Sequence, residues 1–489
     1  MRSRGTIQNL HRGAAALLVL VVPTTMGGCA RFSPDAGMLV VEAAASTELG
    51  KDVVKIRDEA DAVAVAARVR ALLAKPLTVA SSAQIALINN RALQAAFNEL
   101  GVSEAQMIEA SLPTSPTLSF QRIVGSGFEI ERQIVQNVLA LLTLPRRREI
   151  AEARFKQAQV RAVEITLRVA MEAGRAYYRA VAGNETLRYL EESRLSAEAV
   201  SDLAKQLGET GAMSKLDQAR EHVFYADVNG QVAMARLRQR SERERLIRAL
   251  GLWGRDTHIR LPDKLASLPN KPRTISWVER EAVSRRVDLI IARMELDILA
   301  RELGLTRKTR FINTLEVAGI TKAEKDINPE TGEVDKIKRA GFELEVQIPI
   351  YDFGEARVRR AEQTYMRAVN RLLERAVNVR SEAREAYQNY RGAYDIARHF
   401  EREVLPLRNI ISDETMLNYN AMIRDLFALL GEARARIAAN SQAIEARRDF
   451  WLASVELHAA LVGGRGAGEP GAMPSVGAQA GGGQASEQH

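Results

Sequence analysis

Gly341-Phe342-Glu343-Leu344-Glu345-Val346-Gln347-Ile348 alternates apolar and polar residues without a break, and the chain carries it twice. The earlier copy is Gly127-Phe128-Glu129-Ile130-Glu131-Arg132-Gln133-Ile134, identical at six of eight positions and with Ile130 in place of Leu344. Alternation with a period of two makes a strand with one apolar and one polar face. The rest of the chain reads as helix, so the duplicated strand needs apolar surroundings that a small sheet does not supply. Lipid on the outer face, with the polar face lining a pore, is the arrangement this pattern predicts.

The composition sets bounds around that reading. The 489 residues are 46% hydrophobic and 27% charged, which is enough apolar material for a large core. Aromatics make up only 5%, and alanine is frequent, a balance that favours closely packed helices. The net charge of +8 comes from Lys and Arg interleaved with Glu along helical stretches, the pattern of solvated helix faces and not of nucleic-acid binding. Cys29 is the only cysteine, so neither a disulfide framework nor a thiolate metal site is expected. The six histidines lie apart, without ligand spacing. No Gly-rich phosphate loop, paired His-Glu metal motif or Ser-His-Asp elbow is present. The expectation is a protein that is not an enzyme, with no cofactor and no metal.

Residues 1–28 read as a secretory signal: Arg2, Arg4 and Arg12 precede an apolar run from Ala14 to Val22, then Gly27-Gly28. That run is shorter than the ~20 apolar residues a membrane-spanning helix needs. Met26-Gly27-Gly28-Cys29 resembles a bacterial lipobox, with Met26 where Leu is usual, and this implies palmitate-type lipidation of Cys29. No later stretch is apolar for long enough to make a spanning helix, so entry into a membrane would take a β-barrel.

The remaining chain reads as two tandem repeats. Residues 29–76 form an Ala-rich helical segment that runs from about Met38 to Ala74. The first repeat, 77–254, starts with a helix to about Ala110 and two strands from Thr117 to Ile134. A long helix follows from Pro145 for ~60 residues, about 90 Å, and a second helix starts near Ser214. The second repeat, 255–462, repeats this order: a helix from Ser276 to Leu303, a strand from Phe311 to Ile320, a charged loop from Thr321 to Arg339, and the second alternating strand. A helix capped by Asp352 then runs to Leu405, ahead of Pro406. Residues 463–489 collapse to Gly, Ala, Ser and Gln, a composition expected to be disordered.

The helices carry seams of small residues at four-three spacing. The first is Val169, Ala173, Ala176, Ala180, Gly183, Leu187 and Leu190. The second is Leu216, Ala219, Val223, Ala226, Gly230, Ala233 and Leu237. A third, on the helix after Asp352, includes Val379, Ala383, Ala386, Ala393 and Phe400, and shifting the first seam by 210 positions lands on it.

Four strands per chain cannot close a membrane barrel, because the smallest known have about 8. An open sheet edge is not tolerated in hydrocarbon, so strands that face lipid require oligomers. Leu77-Thr78, Ala86-Leu87, Asn89-Asn90-Arg91-Ala92-Leu93, Leu112-Pro113, Pro116-Thr117-Leu118, Arg286-Val287-Asp288-Leu289 and Tyr419-Asn420-Ala421-Met422, in this order and with the duplication, resemble the TolC-like outer-membrane efflux proteins over essentially the whole mature chain. The family usually has Pro where this chain has Val287.

The resemblance implies a mainly α fold with a transmembrane β-barrel contribution: a homotrimer with a twelve-stranded barrel in outer-membrane lipid and a helical tunnel through the periplasm. It also implies a passive exit duct of a tripartite efflux or export system, which docks by its helical tips onto a periplasmic adaptor and an inner-membrane transporter.

Two groups of site residues follow. Glu129, Glu131, Glu343 and Glu345 share the polar side of the strands and would face the lumen, where rings of carboxylates favour cations. A merely hydrated wall is the alternative. Arg132 falls on the side assigned to lipid. The turns holding Gly208, Gly211, Asn420 and Met422 are the candidate adaptor-contact tips, although turns also serve simply to reverse a chain. The other reading of the whole protein is a periplasmic coiled-coil lipoprotein acting as spacer or adaptor. An adaptor would carry one helical hairpin between β-rich domains, and a spacer would not need duplicated amphipathic strands.

Overall fold

Backbone hydrogen bonding, not apolar patterning, decides how far the strands run. A computed structural model describes residues 32–124, 128–327, 334–421, 423 and 426–464. Cys29, Gly127, Met422 and the tail from 465 lie outside the described residues. The chain divides into two units. One comprises Leu100–Lys156 and Ile298–Tyr365 with the described residues up to Gly37, and the other Met38–Glu99, Gln157–Asp297 and Met366 onward. Each draws on both sequence repeats.

The first unit holds the sheet. Strands β1 (Thr117–Val124), β2 (Phe128–Asn137), β3 (Thr314–Ile327) and β4 (Val334–Gln347) form an antiparallel meander in the order β1-β2-β3-β4. β3 and β4 are longer than the apolar alternation predicts. Residues 321–327 and 334–339, expected as a charged loop, continue the ladder from Thr321↔Ala340 to Ile327↔Val334. Antiparallel pairing is made by the main chain, so it persists through Lys and Glu as long as the partner strand continues.

Two junctions tie the sheet to helices. Asn137 ends β2, and its side chain accepts a hydrogen bond from Ala140 N at 2.8 Å, capping a helix that starts at Val138 without a connecting loop. After β4, the Asp352 carboxylate accepts from Gly354 N at 2.9 Å and Ala356 N at 3.2 Å. Those two N–H groups hold its pKa below the usual carboxylate value. The cap expected at Asp352 is therefore present. At Gly354 φ is +74°, and a Cβ there would lie 2.2 Å from the Arg310 carbonyl oxygen, so only glycine fits.

The second unit is helical. α1 (Leu39–Leu49) and α2 (Glu59–Leu73) are separate helices where one Ala-rich helical segment was expected. α3 (Val79–Asn89) begins at the capping box of Thr78 and Ser81. It breaks at Asn90, whose extended backbone lets α4 (Arg91–Ser111) start afresh. Asn89 and Asn90 donate to the carbonyls of Leu250, Gly251 and Ala249, closing the C-terminus of another helix. The Asn-Asn-Arg motif is thus a structural brace between two helix ends.

The long helices are α5 (Val138–Glu209) and α6 (Lys215–Leu250), then α7 (Val278–Arg285), α8 (Val287–Lys308), α9 (Glu355–His399), α10 (Leu405–Asn420) and α11 (Leu426–Val462). α5 starts seven residues before Pro145 and absorbs it. Pro406 does not stop the chain either. It occupies the first turn of α10, where its missing N–H costs nothing, and a π-helical turn at Phe400–Val404 bridges from α9.

The core matches the expected seams on two helices and departs on a third. Ala173, Ala176 and Ala180 on α5, and Val379, Ala383 and Ala386 on α9, are buried. On α6 the predicted stripe points outward, with Leu216, Val223 and Leu237 exposed, while Glu221, Phe224, Val228, Val232 and Ala235 are buried instead. Around Phe450 the rings of Tyr390, Tyr394 and Trp451 lie 5.0–5.6 Å away. Tyr178 stacks on Trp451 at 5.3 Å, and burial pushes its hydroxyl pKa up to about 12.

Candidate channel wall and helical tips

The strand register assigns every sheet residue to one of two faces, because directly paired residues point the same way. Glu129 and Glu131 pair with Glu324 and Lys322, and on the next strand Glu343 and Glu345 pair with Ala318 and Glu316. All four acids singled out from the sequence therefore share one face of one sheet. Contacts across that face agree. Gln133 donates to Glu343 at 3.5 Å, Asn137 to Glu316 at 3.2 Å, and Thr314 to Gln347 at 3.1 Å.

The structure adds partners that the reading of 321–339 as a loop concealed. Lys322 Nζ lies 2.8 Å from Glu131 and 3.6 Å from Glu129. Arg339 reaches Glu324 at 3.9 Å. From the Glu129–Glu324–Ile337 row to the Asn137–Glu316–Glu345 row this face holds six glutamates (129, 131, 316, 324, 343 and 345) against Lys322 and Arg339, a net of four negative charges; Asp326 and Asp335 pair one row nearer the hairpin end. Glu129 and Glu131 share a cation, whereas among the described residues no ion pair is seen for Glu343 or Glu345. Ile123, Val135, Ile320 and Ile337 also lie here, so the face is acidic and polar but not uniformly so.

The opposite face is apolar and bare. Leu118, Phe120, Ile134, Phe342, Leu344 and Val346 are all exposed, Leu118 at 73% and Phe342 at 85%. A contiguous apolar surface of this kind marks contact with something that is not water. Arg132 sits on this face between Phe120 and Thr321, with no bulge in the pairing around it. β1 and β4 each pair on one side only, which leaves two free sheet edges.

In the helical unit, Gly208, Gly211 and Asn420 mark turns at one end of two hairpins. α5 ends at Glu209, Gly211 sits at φ +76° in open space, and Ser214 caps α6 through Asp217 N at 3.2 Å. α10 ends at Asn420, and α11 resumes at Leu426. Phe224, Val228, Ala197 and Leu430 form one buried cluster, which brings the two hairpins together near their turns. Arg434 lies over the Phe224 ring at 4.9 Å. Close by, Glu221 is 1% exposed, and among the described residues neither carboxylate oxygen has a hydrogen-bond partner. Burial raises its pKa, with Arg434 opposing and Asp217 adding to the shift. Sequence spacing did not flag Glu221, because a single Glu within a mixed-charge helix looks solvated.

Away from these turns, Arg175, Arg286 and Arg447 make ion pairs inside the bundle. Arg175 bridges Glu172 and Glu456 at 2.9 and 3.0 Å. Arg447 meets Glu185 at 3.4 Å. Arg286 joins Asp288 at 3.1 Å and Glu382 at 2.5 Å. Among the described residues no helix is long and apolar enough to cross a membrane.

Comparison with solved structures places this architecture. The chain superposes on crystal structures of CusC, described for its transmembrane channel formation, at TM-score 0.65 and 15% identity, over 79% of this chain and 92% of that one. Its fold is that of the outer-membrane channels. The Campylobacter jejuni outer-membrane channel CmeC matches at TM-score 0.64 and 16% identity, over 79% and 86% of the two chains. The Vibrio cholerae outer-membrane protein VceC matches at 0.64 and 12%, over 81% and 97%. No family model and no curated protein matches the sequence. This chain itself supplies four strands and two long helical hairpins.

Proposed function

We propose that the protein is the passive outer-membrane exit duct of a tripartite efflux or export system, and not an enzyme. The observation that carries this reading is a four-stranded meander with both edges free and an exposed apolar band across one face, in the fold of outer-membrane channels. In hydrocarbon every backbone group must be paired, so β1 and β4 need partners. Three copies supply twelve strands and close the wall, with β1 of each chain beside β4 of the next. The acidic face then lines the lumen with Glu129, Glu131, Glu343 and Glu345 from each chain. Cys29, as the mature N-terminus, would carry acyl chains and tether the protein to the outer membrane.

The helical hairpins would enclose a tunnel through the periplasm. Their turns around Gly208, Gly211, Asn420 and Met422 would meet the periplasmic adaptor and, through it, the inner-membrane transporter. The exposed α6 stripe of Leu216, Val223 and Leu237 supports packing between copies, since a single chain leaves it uncovered. Planar-bilayer recording of the purified full-length protein tests the proposal. A duct gives discrete, stable conductance steps. A periplasmic spacer or adaptor of the same helical content gives none.

A further inference from the structure

The sheet sorts charge as well as polarity. Among its described residues every acid lies on the polar face, and the apolar face carries only cations: Arg122, Arg132, Lys325, Lys336 and Lys338. These five are gathered at the hairpin end. Lys325 and Lys336 are direct cross-strand partners in the row beside Phe128. The next row holds Arg122 and Lys338 on either side of Ile130 and Ala323, and the third holds Arg132. Beyond it the rows Leu118-Ile134-Gly319-Phe342, Val317-Leu344 and Leu315-Val346 contain no charge.

Like charges placed directly opposite each other destabilise a strand pair unless something neutralises them. No acid on this face does so. The Phe128 ring instead collects two of the cations, with the Arg122 guanidinium 5.9 Å and Lys325 Nζ 5.7 Å from its centroid. At the opposite limit of the apolar band Phe311, Tyr351 and Phe353 are exposed, and Arg310 lies over the Phe311 ring at 4.7 Å.

From this we infer that the cationic rows are a docking surface for the phosphate groups of lipids in the leaflet around the hairpin end of the sheet. The inference rests on the apolar face being the lipid-facing one. Cations on neighbouring strands lie about 5 Å apart, close enough for two of them to grip one phosphate through charge-assisted hydrogen bonds. Arg132 stops being an anomaly, because its row adjoins this belt and its long stem can carry the guanidinium up to it.

The test uses the full-length protein, wild type and K325Q/K336Q/K338Q, equilibrated with vesicles of phosphatidylcholine alone or mixed with phosphatidylglycerol. Native mass spectrometry then reads the lipids retained. Near an anionic surface each lost cation weakens binding about fivefold. The wild type should therefore hold phosphatidylglycerol over phosphatidylcholine, the triple variant should lose that preference by about a hundredfold, and the matching Lys→Arg variant should keep it. Equal retention of both lipids by the wild type overturns the inference, as does an unchanged preference in the triple variant. Should the triple variant fail to assemble, K336Q/K338Q is judged by the same two criteria. Insertion and conductance in phosphatidylcholine bilayers are recorded alongside. A wild type that does not insert refutes the membrane reading itself, whereas one that conducts without anionic preference refutes only the docking surface.

Discussion

Neutralising Glu343 and Glu345 should shift ion selectivity in one direction, and neutralising Lys322 should shift it in the other. Below the Asp326–Asp335 pair the polar face carries six glutamates against Lys322 and Arg339, a net of four negative charges per chain in that section. E343Q/E345Q leaves two, so the fixed charge that draws cations into this section is halved. K322Q leaves five, about a quarter more, and releases Glu131 and Glu129 from a cation 2.8 and 3.6 Å away. The assay is the reversal potential of single channels under a KCl gradient. In ~0.1 M salt, where screening extends about 10 Å, E343Q/E345Q should bring the potential roughly halfway to zero, and K322Q should move it further from zero. Both effects should fade towards ~1 M salt, where the screening length is about 3 Å. Potentials unchanged in both variants, or a K322Q channel less cation-preferring than wild type, would refute the assignment of this face to the lumen.

Other outcomes follow from the helices and the junctions. Gly211→Glu and Met422→Glu should each abolish pump-dependent export while leaving the oligomer intact on gel filtration; normal export would remove the tips from the docking site. Gly354→Ala forces a Cβ against the Arg310 carbonyl and a left-handed residue into strain, so it should cost about 1–3 kcal/mol and lower the melting temperature. Phe450→Ala empties a site that is 1% exposed and ringed by three aromatics, a loss of about 3–5 kcal/mol. Glu221 has a raised pKa, so its ionisation costs stability: the cost is absent below the unfolded value of 4.5 and fully present above the raised folded value. Glu221→Gln should therefore raise stability at neutral pH by on the order of 1 kcal/mol, read as a higher melting temperature, with the gain vanishing as pH falls towards 4.5. A gain that persists in acid would show that the carboxylate is not the cause.

The duplicated alternating stretch was the most legible part of the sequence, because period-two patterning and a bilayer both demand one apolar face. It located β2 and β4, and placed Glu129, Glu131, Glu343 and Glu345 on a common face. It did not reveal the charged ends of β3 and β4, whose pairing is made by the main chain and leaves no apolar signature. The sorting of Lys325, Lys336 and Lys338 to one parity and of Glu324 and Arg339 to the other was the available signal. On α6 the sequence offered two apolar stripes, and spacing alone cannot say which one meets its own chain. The stripe through Phe224, Val228 and Val232 does, and the stripe through Leu216, Val223 and Leu237 is left uncovered. Pro406 read as a stop because a helix interior excludes proline, but the π turn before it supplies a fresh first turn where proline fits. Glu221 was invisible because burial belongs to the packing of hairpins distant in sequence.

The mass of the detergent-purified complex tests the central claim most directly. Two free strand edges in a lipid-facing wall require more than one chain, and the proposed twelve-stranded wall takes three, so the complex should weigh three times the mature chain, which is 54.0 kDa over the full sequence. A stable single chain that still partitions with the outer membrane would contradict the account.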